Sequence, residues 1–112
     1  MRILYKICPA EDWPASGTGD YLGSSVDRRD GFVHLSAADQ VRETARRHFA
    51  GQDDLVLVAL PAERLEGLRW EPSRDGALFP HVYGPIPFAS ALWVKPLPLV
   101  DGGHRFPEDM PA

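Results

Sequence analysis

Apolar residues along the chain recur mostly in short extended runs, with one stretch at helical spacing. Ile3, Leu4, Tyr5, Lys6 and Ile7 form a β-rich run ended by Pro9, which predicts a first strand. Ala10 to Ser16 predicts one or two helical turns around Trp13, closed by Gly17. Gly17 to Arg29 is rich in Gly, Ser and Asp and reads as loop. Gly31 to Leu35 (GFVHL) predicts a second strand. Ser36 then fits a helix N-cap, with Asp39 at N3 in a capping-box-like arrangement. The helix is expected from Ala37 to about Ala50. Val41, Ala45 and Phe49 recur every fourth position, Ala38 extends the stripe, and Gly51 is placed to stop it.

Asp54 to Leu60 holds a nearly continuous apolar run (LVLVAL), which suits a central strand buried on both faces. Pro61 to Leu65 reads as a turn, Leu68 to Glu71 as a brief strand, and Pro72 to Ala77 as loop. Phe79 to Tyr83 (FPHVY) is extended, but prolines at 80, 85 and 87 point to an edge or loop. Ala91 to Leu99 predicts a final strand with edge character, and the Pro- and Gly-rich tail 100–112 is expected to be mobile. Six short strands with one main helix, and no repeat, predict a single α+β domain over residues 1–99 with a split mixed or antiparallel sheet.

Composition narrows the function classes. The chain has 112 residues, enough for one domain with its own core. The formal charge of −4 argues against a general nucleic-acid binder, which needs a basic face to displace phosphate counterions. One cysteine, Cys8, supplies neither an intrachain disulfide nor a Cys-based zinc site. Lys6, Pro9, Glu11 and Asp12 interrupt any apolar targeting segment, and no run approaches the ~18 residues of a membrane span. A reducing cytoplasm without membrane association is the expectation.

There is no phosphate loop of the GxxxxGK type, no GxGxxG, no HExxH and no GxSxG elbow. His48, on the predicted helix near its apolar stripe, reads as a packing or capping residue, and His104 as a solvated tail residue. His34 stands out, because it sits between Val33 and Leu35 just before a predicted helix start, where backbone N–H groups can face an anion. It reads equally as a hydrogen-bonded structural histidine, and Ser36 either caps the helix or meets a ligand. His81 and Tyr83 share one face of an extended segment, since side chains alternate. Their proline-rich surroundings fit a rigid pocket turn or an edge that blocks aggregation. Glu71, beside Trp70, is a candidate carboxylate of altered acidity or a solvated surface group.

Several stretches together resemble the domain-of-unknown-function family 952. They are LYKI at the start, Trp13, GDYLGS at 19–24, DGFVHLS at 30–36, TARRHF at 44–49, DLVLVAL at 54–60, LRWE at 68–71 and FPHVYGPIP at 79–87. The resemblance spans about residues 3–98. It implies a place in the ADP-ribosyltransferase-like superfamily, with the RNA 2′-phosphotransferases and the poly-ADP-ribose polymerases, and a split sheet gripping NAD or an ADP-ribosylated intermediate. By that resemblance, His34 takes the place of a tyrosine that stacks on nicotinamide. Lys6 stands where a ribose-binding histidine is expected, and His81 near the position of a catalytic glutamate. The implied catalytic set is His34, His81 and Glu71, and the implied ligand contacts are Ser36, Tyr83, Lys6 and Tyr21. NAD or another small nucleotide is the implied substrate or ligand, and no metal is implied. The same resemblance admits a non-catalytic nucleotide- or protein-binding module that kept the fold and lost the transferase chemistry.

Overall fold

The computed structural model describes residues 2–14, 19–73 and 75–112. The expected closure of the first turn at Ser16 and Gly17 lies outside those residues. Strand β1 (Ile3–Pro9) is followed by a 3-10 turn (Ala10–Asp12), β2 (Asp20–Tyr21), helix α1 (Ser25–Asp30), β3 (Val33–His34), β4 (Ser36–Ala37) and helix α2 (Val41–His48). Then come β5 (Leu55–Pro61), β6 (Leu68–Pro72), β7 (Leu78–Val82), β8 (Ile86–Pro87), β9 (Trp93–Leu97), β10 (Leu99–Val100) and β11 (Gly103–His104), with 3-10 turns at Ala62–Arg64 and Phe88–Ser90. The architecture is α+β, and all recorded strand pairs are antiparallel.

Two sheets carry the molecule. One has the order β4-β1-β5-β9, the other β3-β7-β6. The apolar run of β5 lies inside the first sheet, as its sequence predicts, and β9 forms an edge. Alternation along β1 and β5 divides the core. Ile3, Tyr5, Ile7, Leu55, Leu57 and Ala59 face Val41 and Ala45 of α2. Leu4, Cys8, Val58 and Leu60 face the other way and pack with Val33, Leu35 and Val82 of the second sheet region. Lys6 falls on this second face, between Leu4 and Cys8, and is itself buried. That placement creates the electrostatic problem around which the site is built.

Four expectations need correction. The stretch read as loop from Gly17 to Arg29 holds β2 and α1. The helix is signalled by Ser24, whose backbone N–H donates to Asp27 Oδ2 at 2.8 Å, and by Gly31, which ends it at φ 87° with its N–H on the Asp27 carbonyl. Ser36 is not a helix cap. It lies in β4, pairs with Tyr5 of β1, and its hydroxyl meets Thr44 Oγ1 at 2.9 Å. Helix α2 is correspondingly shorter than expected and begins at Val41, while Val41 and Ala45 are buried and Phe49 is partly buried. FPHVY is not an edge, because β7 lies between β3 and β6. Pro80 is tolerated there because its carbonyl, which accepts from the Leu35 N–H at 3.0 Å, faces the side where β3 ends at His34. In an antiparallel ladder a residue's N–H faces the same neighbour as its carbonyl, so the missing donor costs little where the ladder stops.

The C-terminal residues, expected to be mobile, pair β10 with β11 and lay Phe106 and Met110 against the α2 side of the core. The Tyr5 hydroxyl donates to the Pro111 carbonyl.

Gly67 joins the fold to the site. It has φ 73°, its carbonyl accepts from the Tyr83 N–H at 3.0 Å, and a Cβ there would collide with the Tyr83 carbonyl oxygen. Gly67→Ala is therefore expected to cost at least about 1–2 kcal/mol from the left-handed backbone alone, with displacement of Tyr83 in addition. A denaturant midpoint unchanged from wild type would contradict that placement.

Candidate functional site

The second sheet brings together residues far apart in sequence. His34 and His81 stand directly opposite each other in the β3–β7 register, and Arg69 stands opposite His81 on β6. Residues paired across an antiparallel sheet share a face, so the three form one row. The ring centroids of His34 and His81 are 5.4 Å apart, edge to face. Phe32 stacks on His81 at 4.2 Å and lies 4.6 Å from His34 and 5.2 Å from Tyr83. Arg69 extends over the Tyr83 ring at 5.4 Å.

Glu71 links two of these groups. Its Oε1 accepts from the Tyr83 hydroxyl at 2.7 Å and lies 2.7 Å from His81 Nδ1. A carboxylate only accepts, so His81 Nδ1 donates, which leaves Nε2 as the ring's other functional atom. Nε2 has no hydrogen bond among the described residues. The bonds from His81 and Tyr83 hold the Glu71 carboxyl's pKa below its ordinary value, and the bond to Glu71 pushes the Tyr83 phenol's pKa up. A carboxylate that fixes an imidazole through Nδ1 is the arrangement that presents Nε2 as an acid or base.

His34 is held differently. Its Nδ1 lies 2.6 Å from Asp27 Oδ1 and its Nε2 lies 3.0 Å from Asp30 Oδ2. Both carboxylates come from α1, one turn apart. The ring is thus oriented firmly, with its side chain 35% exposed.

Asp27 is the buried hub behind His34. Its Oδ1 also accepts from the His34 backbone N–H at 3.0 Å, and its Oδ2 from the Tyr21 hydroxyl at 3.1 Å and the Ser24 N–H at 2.8 Å. Lys6 Nζ lies 2.9 Å from Oδ2 and also donates to the His34 carbonyl at 3.0 Å. Burial alone would raise the Asp27 carboxyl's pKa, but the His34 hydrogen bond and the Lys6 charge outweigh it and hold the group well below the ordinary range. Burial pushes the Tyr21 phenol far up, and the Cys8 thiol up to about 11. A buried thiol of that kind is structural rather than reactive.

Of the residues singled out in the sequence, His34, His81, Glu71 and Tyr83 meet on one surface. Lys6 and Tyr21 lie beneath it, with their polar groups engaged by Asp27. Ser36 is spent on Thr44 and stands apart. His48 is exposed on α2. Sequence reasoning missed Phe32, Asp27 and Asp30. The spacing Ser24-x-x-Asp27 with Gly31 after it marks a helix that turns Asp27 inward, Asp30 reaches His34 from the surface one turn on, and Phe32 stands in the same motif as His34. No group of three or more His, Cys, Asp or Glu side chains among the described residues is arranged to hold a metal ion. No helix of the described residues is long and apolar enough to cross a membrane.

A family model described as protein of unknown function (DUF952) matches residues 7–94. The chain is similar to the crystal structure of protein CC0527 from Caulobacter crescentus, at 44% identity and a TM-score of 0.83, with 92% of this chain and 93% of that chain covered. The solution NMR structure of CC0527 gives 44% identity and a TM-score of 0.77 over 93% of this chain and 91% of that one. No curated protein matches the chain. With most of its length matched by the family model and two fifths of its residues shared with CC0527, the chain belongs to the DUF952 family.

Proposed function

We propose that the His34–His81 face is a nucleotide site on an ADP-ribosyltransferase-like fold, acting on NAD, ADP-ribose or a nucleotide-linked phosphate. The observation that carries this reading is the Glu71–His81 pair, its Nε2 unbonded, standing directly across from a clamped His34. In this reading His81 moves a proton, Glu71 orients it, and Tyr83 and Phe32 offer ring faces to a base or nicotinamide. Asp27 and Lys6 position His34 from behind. Arg69, over Tyr83, offers a guanidinium for a phosphate.

Transfer is expected to be slow by the standards of the superfamily. By the resemblance, a buried, paired Lys6 stands where a ribose-binding histidine is expected, and His81 near the position of a catalytic glutamate. The loss of one well-placed hydrogen-bonding or electrostatic group removes about 10²–10³ in rate. A second reading, a binding module without turnover, is favoured by His34 itself, since both its nitrogens are engaged by carboxylates.

A thermal-shift series with NAD, ADP-ribose and nucleotides tests the binding that both readings share. Saturation at 100 times Kd raises stability by about 2.7 kcal/mol. That rise is expected for wild type and is expected to shrink in His34→Ala. Labelled NAD with protein and RNA acceptors then separates the readings. Released nicotinamide or transferred label that disappears in His81→Ala supports the enzyme, and binding without turnover supports the module. No stabilisation by any of these ligands would overturn both.

A further inference from the structure

We infer that the groove between α2 and the β10–β11 hairpin binds a phosphate-type oxyanion, independently of the His34–His81 face. The groove is lined by Arg42 and Arg46 on the helix side, by Gly102, Gly103 and His104 on the hairpin side, and by Phe106. Its volume of about 370 Å³ is that of a small-molecule site. The hairpin lies beyond residues 7–94 matched by the family model.

Arg42 and Arg46 are one helical turn apart and project from the same face of α2. In a chain of net charge −4, Arg42 has no carboxylate partner among the described residues. Its guanidinium carbon instead lies 5.1 Å from the Phe106 ring centroid, which fixes the fork and leaves its N–H donors for a ligand. Arg46 is partly spent. Glu43 accepts from its Nε at 2.8 Å and its Nη2 at 2.5 Å, which leaves Nη1. Glu43 also takes Arg47 Nε at 2.7 Å, so its negative charge is shared between two guanidiniums.

The opposite wall is chemically complementary. His104 Nε2 lies 2.8 Å from the Gln52 carbonyl. A carbonyl only accepts, so Nε2 donates there and Nδ1 is left to accept from the hydroxyl of a hydrogen phosphate. A Cβ at Gly102 or Gly103 would meet nothing within 4 Å, so no other side chain crowds the hairpin backbone at these two positions. Arginine forks bind the tetrahedral oxyanion through paired N–H donors. Free inorganic phosphate and the phosphate of a small phosphomonoester present the same oxyanion to the arginines; at neutral pH the free anion alone keeps a hydroxyl for His104, and only the ester would also use the Phe106 ring.

The test is an NMR titration of the full chain with sodium phosphate and with phenyl phosphate, against sodium chloride at matched ionic strength. Saturable amide shifts at Gly102, Gly103 and His104 are expected with both phosphates and not with chloride. Arg42→Met keeps the apolar stem over Phe106 and is expected to weaken binding at least tenfold. Arg46→Met should weaken it less, and Arg64→Met, outside the groove, should leave it unchanged. A thermal melt of each variant confirms that it folds. Tighter binding of phenyl phosphate assigns a phosphomonoester, and equal binding assigns the free anion. An identical response to chloride, or unchanged affinity in folded Arg42→Met, would overturn the inference.

Discussion

Asp27→Ala is expected to destabilise the protein by about 3–5 kcal/mol, the cost of leaving a buried charge without its partner. The substitution strands the Lys6 ammonium, which is 5% exposed between Leu4 and Cys8. It also unties the Tyr21 hydroxyl and the backbone N–H groups of Ser24 and His34. At about 4 °C or more per kcal/mol for a domain near 100 residues, the melting point should fall by on the order of 12–20 °C. Adding Lys6→Met to Asp27→Ala should recover only the part of the loss that comes from the stranded ammonium, because the donors of Tyr21, Ser24 and His34 stay untied. A melting point within a few degrees of wild type in Asp27→Ala would show that the hub does not hold α1 to the sheets.

The same hub sets the acid limit of stability. The Asp27 carboxyl is held below its ordinary value of 3.8 in the fold. Its contribution is therefore complete above that value and is lost as pH falls from there toward the folded-state value. Glu71, also held low, contributes with the same sign. Unfolding free energy should decline below about pH 4 in wild type and decline less steeply in Asp27→Asn. An unaltered acid slope in that variant would contradict the shift.

The second large effect concerns turnover. His81→Ala is expected to lower any NAD or ADP-ribosyl turnover by about 10²–10⁴-fold, the usual contribution of a positioned acid–base group. Its effect on ligand affinity should be small, because Phe32 and Tyr83 remain. Glu71→Gln should reduce kcat in the same direction, since the amide neither orients imidazole as firmly nor stabilises its charged form. His34→Ala should instead raise KM or Kd. Steady-state kinetics separate these patterns, and a fall in affinity with unchanged kcat in His81→Ala would reassign that residue to binding.

Much of the fold could be read from periodicity. The LVLVAL run gave the interior strand because only a strand covered on both faces tolerates continuous apolar residues. The stripe Val41, Ala45, Phe49 gave the main helix, although Ser36 misled its start. A serine at the end of a strand and a serine at a helix cap look alike, and pairing with Tyr5 decided between them. Helix α1 was hidden because six polar-rich residues carry no apolar stripe, and its caps at Ser24 and Gly31 were the only signal. Pro80 pointed to an edge, since nothing local shows that β3 stops one residue short of needing its donor.

The candidate site was half visible. Alternation placed His81 and Tyr83 on one face, and the VHLS and FPHVY motifs marked the two strands that pair. The bond from Glu71 to His81 depends on the β6–β7 register, which no single segment encodes. The burial of Lys6 follows from its place in the alternation of β1, where it shares a face with Leu4 and Cys8. Its partner, seven residues before His34, was hidden in what looked like loop.

The most direct test follows the ring C–H signals of His34 and His81, with the Phe32 and Tyr83 rings, during titration of the full chain with ADP-ribose and NAD. Saturable shifts at all four rings are expected, with one shared Kd, and they should weaken together in His34→Ala. Saturable shifts confined to other residues, or no shift at millimolar ligand, would contradict a nucleotide site on this face.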